Sequence, residues 1–199
     1  RRQELFTSSI SSFPLARCSV HVGLPMAGRP SPSSRHLPAF TNASTPAERL
    51  AACQAYQKTE GERIQAKHQA GEPGQKIVAA IATKIDRLLQ PLFAYALESW
   101  RRQHGEPPTP ACLIGLGGYG RSELNPLSDI DVMFLYPSTA KAKDLVKFQE
   151  HLSNEILYPL WDLRLKIGHS TRTLTEVFAE AGRDIRTKTS LLEARLIAG

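Results

Sequence analysis

The chain has 199 residues, of which 41% are hydrophobic and 22% charged, with a formal net charge of +6. This is the composition of a soluble globular chain, not a disordered or fibrous one, and its length suits one ordinary domain or two small ones. No apolar run reaches the roughly 18 to 20 residues needed to span a bilayer, so no membrane insertion is expected.

The positive charge is unevenly placed. Residues 1–45 contain Arg1, Arg2, Arg17, Arg29 and Arg35 against Glu4 alone, which accounts for four of the six excess charges. The remainder is nearly balanced, so the charge predicts no specific nucleic-acid face. Three widely spaced cysteines, Cys18, Cys53 and Cys112, form no CxxC pair. They argue against a disulfide framework or structural zinc and fit a reducing, cytoplasmic setting. Cys112 heads an apolar run and reads as core filling.

Residues 1–45 are rich in Ser, Pro and Arg, include "GRPSPSSRHLP" and lack periodicity. They are expected to be disordered. Arg-rich, acid-poor composition also suits a transit peptide. A plainer expectation is a mis-annotated start: residue 1 is Arg and the first methionine is Met26.

Order is predicted from Thr45. Pro46 follows it and Glu48 stands three residues on, so an N-cap, a first-turn proline and a capping box coincide at the head of a helix over 46–69. "GEPG" at 71–74 ends it. Over 75–102, Ile77, Ile81, Ile85, Leu88 and Leu92 form one stripe, widened by Val78, Leu89 and Phe93. An amphipathic helix kinked near Pro91 is predicted, with Phe93, Tyr95 and Trp100 as core contacts. These helices, over 46–104, are expected to pack directly on the domain that follows, because the stripe needs an apolar partner.

"HGEPPTP" at 104–110 breaks the chain, and residues 105–199 form the second predicted unit. "ACLIGL" and "DIDVMFLY" are strand candidates. A helix is expected over 139–157 with Leu145, Phe148, Leu152 and Ile156 on one face. "WDLRLKIGHS" at 161–170 alternates Leu163, Leu165 and Ile167 with Asp162, Arg164 and Lys166, and reads as a third strand. Two short helices, over 173–181 and 184–196, are expected to close the chain. "LLEARLIAG" ends without a polar tail, so the natural protein is expected to continue.

The chemistry concentrates in "LIGLGGYGRSELNPLSDIDVMFLY". Asp129 and Asp131 are two apart, so a strand would point both to one face and Ile130 and Val132 to the other. Two adjacent carboxylates repel, and burying an unpaired charge is costly. A divalent cation such as Mg2+ resolves both problems, since it takes one or two carboxylates together with substrate phosphates. Gly117 and Gly118 follow a strand directly and would let backbone N–H groups wrap an anion. Arg121 adds a fork of donors matched to phosphate. Ser128 has two readings, phosphate donor or turn cap, and Glu123 is expected to pair with a basic neighbour. A glycine pair or a D-x-D alone says little; strand, GG, about ten residues and strand-borne D-x-D in that order is specific.

The segment "GGYGRSELNPLSDIDVMFL" resembles the nucleotide-transfer motif of the DNA polymerase β-like nucleotidyltransferase superfamily. Its form, with "LWDLRLKIGHSTRTLTE" and "TSLLEARLIAG" downstream, is similar to the bacterial PII uridylyltransferases (uridylyltransferase/uridylyl-removing enzymes), over about 75–199. The resemblance implies an α+β fold, with a small mixed sheet flanked by helices and preceded by N-terminal helices and a disordered tail. It also implies a third carboxylate, Asp162, beside the D-x-D pair.

The implied reaction moves UMP from UTP to a tyrosine of the PII signal protein. Asp129, Asp131 and Asp162 would hold two Mg2+ ions, Gly117, Gly118, Arg121 and Ser128 would contact the nucleotide, and pyrophosphate would leave. His169 and Ser170 stand as in the family, either as a nucleotide contact or as a hydrogen-bonded strand exit. The position of Ser122 is often glycine there; before a turn, serine is expected to cost little. The family's enzymes add a metal-dependent HD domain and two ACT domains, and neither lies within these residues. Two alternatives stand beside this reading: a related nucleotidyltransferase using ATP or another target, such as an adenylyltransferase of glutamine synthetase, and a non-catalytic nucleotide-binding regulatory module.

Overall fold

The computed structural model describes residues 45–140 and 142–199. The expected disorder and mis-annotated start therefore fall, apart from Thr45, outside the described residues. Among the described residues no helix is long and apolar enough to cross a membrane.

Helix α1 runs Pro46–Gln69. Thr45 caps it as the sequence predicts: its Oγ1 accepts from Glu48 N–H, and Glu48 Oε2 accepts from Thr45 N–H at 2.7 Å. The helix ends in a Schellman motif, with Gly71 N–H donating to His68 O and Glu72 N–H to Lys67 O. Gly71 takes the left-handed conformation there, at φ 81°. Helix α2, Gly74–His104, passes through Pro91. Its stripe buries Ile85, Leu88, Leu89, Leu92, Phe93 and Trp100, each worth about 1.5–3 kcal/mol of apolar burial.

Strand β1 (Cys112–Gly115) leads into a one-turn helix α3 (Gly117–Gly120), and β2 (Ile130–Tyr136) returns antiparallel to β1. Helix α4 (Ala142–Leu152) continues through a π-helical turn, Ser153–Leu157, into α5, Tyr158–Asp162. Strand β3 (Ile167–Thr173) lies parallel to β2. After α6 (Leu174–Arg183) and α7 (Ile185–Leu192), β4 (Arg195–Ala198) pairs antiparallel with β1. The four strands lie in the order β3-β2-β1-β4. The result is the expected α+β architecture, helices flanking a small mixed sheet.

One apolar cluster joins the N-terminal helices to the sheet. It runs from Cys53 and Tyr56 of α1 through Leu88 and Leu92 of α2 to Leu113, Val132, Phe134 and Tyr136 of the strands, and on to Phe148 and Leu152 of α4. Met133 is buried outside this cluster. With Val177 of α6 and Leu191 of α7 it lines a cavity on the other face of the sheet.

Two sequence expectations need correction. Residues 161–166 are not strand: α5 reaches Asp162 and ends in a second Schellman motif, with Arg164 N–H donating to Trp161 O and Leu165 N–H to Leu160 O. The alternating leucines arise because Leu163 and Leu165 pack on the core from a helix end and its turn, which mimics period two. The last helix stops at Leu192, and Arg195–Ala198 becomes an edge strand. Four residues are too few to show alternation, and β1 offers them an otherwise unpaired edge.

Candidate functional site

Asp131 stands near the start of β2, directly opposite the mouth of the glycine turn. Leu116 N–H donates to Asp131 O at 2.9 Å, extending the β1–β2 ladder one step beyond Gly115↔Val132. Gly117, at φ 55°, therefore begins α3 alongside the carboxylate, and a Cβ there would lie 3.6 Å from Asp131 Oδ2. In a one-turn helix the first N–H groups have no acceptor within the helix, and these belong to Gly117, Gly118 and Tyr119. The glycine turn and the Asp131 carboxylate, ten or more residues apart in sequence, are thus spatial neighbours.

Only Asp131 belongs to the strand expected to bear both carboxylates; Asp129 stands just before β2 begins, and both are accessible to solvent while Ile130 and Val132 are buried. The sequence suggested a buried pair. The structure puts the charges at a strand end, where water spares them most of the desolvation cost. Some cost remains: partial burial, then the negative charge of Asp129, raises the Asp131 carboxyl above its ordinary 3.8. The β3 neighbour in register with Asp131 is Gly168, and a Cβ on Gly168 would overlap Asp131 Oδ1. Paired oxygen donors, mutually repelling and fenced by glycines, suit a hard divalent cation such as Mg2+.

Asp162 is exposed at the end of α5, ahead of the turn that leads into β3. Among the described residues no three His, Cys, Asp or Glu side chains are grouped so as to hold a metal. Arg121 is exposed beside the turn with its guanidinium on two carboxylates, Glu193 at 2.5 Å and Glu123 at 3.2 Å. Ser128 donates its N–H to Asn125 O. It lines an apolar cavity of about 430 Å3 between α1, α2 and the 124–130 loop, which includes neither turn glycine nor Asp131. Ser122 adopts φ 61° at the end of α3, where Ser122 N–H donates to Tyr119 O and Glu123 N–H to Gly118 O. This third Schellman motif is a position where glycine is at home.

A smaller cavity of about 210 Å3 lies between the Asp131-bearing face of the sheet and α6–α7. Leu116, Met133, Ser170, Arg172 and Arg186 are among its walls. Ser170 pairs in register with Met133 and faces this cavity, whereas His169 is exposed with its ring 5.8 Å from Trp161. The two residues of the "HS" pair therefore have different surroundings.

The sequence reading missed the groups that secure the turn. Tyr119 is 1% exposed and donates its hydroxyl to Asp86 Oδ1 at 2.7 Å. Desolvation, with the Asp86 charge, pushes its phenol well above the usual range. Asp86 comes from α2 and its other partner, Arg195, from β4. These separations of 33 and 109 residues leave no local pattern. Gly120 carried a signal in "GYG" that was not used: a Cβ there would collide with Glu193 O and Gly115 O.

Comparison with known proteins identifies the family. The sequence profile of the family described as glutamate-ammonia ligase adenylyltransferase matches residues 48–160, from α1 into α5. The chain belongs to this family.

Similar curated proteins include the bifunctional uridylyltransferase/uridylyl-removing enzyme of Cupriavidus pinatubonensis, 39% identical over 119 residues, or 60% of this chain and 13% of that protein. The enzyme of the same name from Aromatoleum aromaticum is 47% identical over 92 residues, 46% of this chain and 10% of that protein. That from Idiomarina loihiensis is 40% identical over 119 residues, 59% and 12%. The matched part of the chain thus spans only about an eighth of the length of such relatives. The family membership accords with a nucleotidyltransferase fold, and the relatives' names accord with the uridylyltransferase resemblance.

Proposed function

We propose that this chain is the nucleotidyl-transferring part of a protein-modifying enzyme that moves UMP from UTP to a tyrosine hydroxyl of a PII-type signal protein. The observation that carries the reading is the contact of the glycine turn with the D-x-D strand, fixed by the hydrogen bond from Leu116 to Asp131. It puts donors for an anion and acceptors for a cation on one edge, as a metal-bound nucleoside triphosphate requires.

In this reading Asp129 and Asp131 would hold Mg2+, two ions in all, and Asp162, which this structure does not group with them, is the third ligand that the resemblance implies. Bound Mg2+ would neutralise triphosphate charge and lower the pKa of the attacking hydroxyl. The N–H groups at Gly117 and Gly118 orient the phosphates, and Arg121 exchanges a carboxylate partner for a phosphate oxygen. Ser128 remains a candidate donor at the approach to Asp129. The cavity beside Met133 and Ser170 receives the rest of the nucleotide. The acceptor oxygen bonds to the α-phosphorus in line, the α–β bridging bond breaks, pyrophosphate leaves, and the hydroxyl proton passes to solvent. A cytoplasmic setting is part of the same reading.

The second reading, transfer of AMP from ATP rather than UMP, draws support from the family's description. Incubating the intact protein with Mg2+, PII and labelled UTP or ATP separates the two. Label on PII from UTP, lost in Asp129→Ala/Asp131→Ala, supports the first; label from ATP alone supports the second. A folded double variant that transfers at the parent rate refutes both.

A further inference from the structure

We propose that Arg195 is a positioning residue for the glycine turn, fixing from β4 the backbone that receives the phosphates; the role rests on the nucleotidyl-transfer reading above. Its guanidinium makes four hydrogen bonds. Nε donates to Gly120 O at 3.1 Å and Nη2 to Tyr119 O at 3.1 Å, while Nη1 and Nη2 clasp the Asp86 carboxylate at 2.8 and 3.0 Å. Asp86 in turn accepts from the Tyr119 hydroxyl. One planar fork thus ties both carbonyls at the end of α3 to α2, and the same turn is tied back to α2 through its own tyrosine. A lysine has no such fork and cannot reproduce the arrangement.

The neighbouring residues complete the hold. Glu193, two residues earlier, engages Arg121 at 2.5 Å, and its carbonyl leaves no room for a Cβ on Gly120. A Cβ on Gly115 would meet the Tyr119 ring at 3.0 Å, so the turn is packed tightly from the strand side as well. Glu193 and Arg195, of the "EAR" in "LLEARLIAG", therefore both bear on the end of α3. None of the four hydrogen bonds of Arg195 reaches Asp129 or Asp131, so its direct hold is on the glycine turn.

The test uses the intact protein with Arg195→Lys, Asp86→Asn and the gentler Tyr119→Phe, which removes only the hydroxyl. Three quantities are measured: thermal unfolding, amide exchange at residues 120–123, and KM for the nucleotide against KM for the protein acceptor. In folded Arg195→Lys, exchange at 120–123 is expected to quicken at least tenfold while β1 and β2 amides stay as in the parent. The nucleotide KM is expected to rise at least tenfold, with the acceptor KM within twofold. Should Arg195→Lys not fold, Asp86→Asn and Tyr119→Phe carry the same expectation at threefold or more.

A lowered thermal midpoint with unchanged nucleotide KM in the folded variants overturns the proposal, since it leaves a merely stabilising role. A parent protein that binds neither UTP nor ATP overturns the nucleotidyl-transfer reading and this role together. That outcome is distinguishable because it is seen before any variant is made.

Discussion

Asp131 carries an electrostatic penalty that the fold sustains without a counter-charge. Partial burial and the Asp129 charge raise its carboxyl above the ordinary 3.8, so the folded chain holds this proton more tightly than the unfolded chain. Its contribution to stability is complete below the unfolded value and is lost as pH climbs through the raised folded value. Asp131→Asn is therefore expected to raise the thermal midpoint at pH 7 while abolishing transfer, with the stability difference shrinking as pH falls below the usual carboxylate range. An unaltered midpoint at pH 7 would contradict the penalty. Gly168 makes a second residue-scale prediction. Its missing Cβ leaves the space that Asp131 Oδ1 fills, so Gly168→Ala must turn the carboxylate aside. Transfer is expected to fall on the order of 100-fold, as for a misplacement of about 1 Å, with the far-ultraviolet circular dichroism unchanged.

At the scale of elements, three helices end in the same motif with different residues at its left-handed position: Gly71 after α1, Ser122 after α3 and Arg164 after α5. Only glycine takes this conformation without steric cost, which for other residues is roughly 1–2 kcal/mol, offset in part by glycine's larger unfolded-state entropy. Arg164→Gly is accordingly expected to stabilise the fold by about 0.5–1 kcal/mol, read from the urea midpoint; a destabilised variant would show that the arginine side chain matters more than its backbone. The same position explains why α5 deceives a reader of the sequence. Nothing in "WDLRLK", which holds neither Gly nor Pro, announces a helix end, and the apolar alternation of Leu163, Leu165 and Ile167 is that of a strand. By contrast "STPAE" and "GEPG" carry their stop and start chemistry in the local residues, and α1 begins and ends where they say.

Across the whole molecule, α1 is fastened to later segments by a cation as well as by the apolar cluster. Arg49 of α1 donates to Glu155 at 2.6 Å and to the Tyr95 hydroxyl at 2.8 Å, with its guanidinium 4.2 Å from the Tyr95 ring centroid. Glu155 comes from the π-helical turn, so three segments meet at one buried charge. Glu155→Ala removes the carboxylate paired with this buried guanidinium and is expected to cost about 3 kcal/mol in chemical denaturation, and Glu155→Gln less, because an amide still accepts the hydrogen bond. A loss within experimental error for the alanine variant would mean that Arg49 finds water instead. What the sequence determined alone was whatever depends on neighbours along the chain: the capping box at Thr45, the α2 stripe, the first two strands as elements, and the order of glycine turn and D-x-D. The tertiary structure alone decided that Asp131 meets Gly117 and Gly168, that Asp162 ends a helix, that Arg121 rests on Glu193, and that Arg195 holds the turn. Hydrogen bonds and steric exclusions between residues up to 109 positions apart leave no period or motif; they exist only once the four strands have paired.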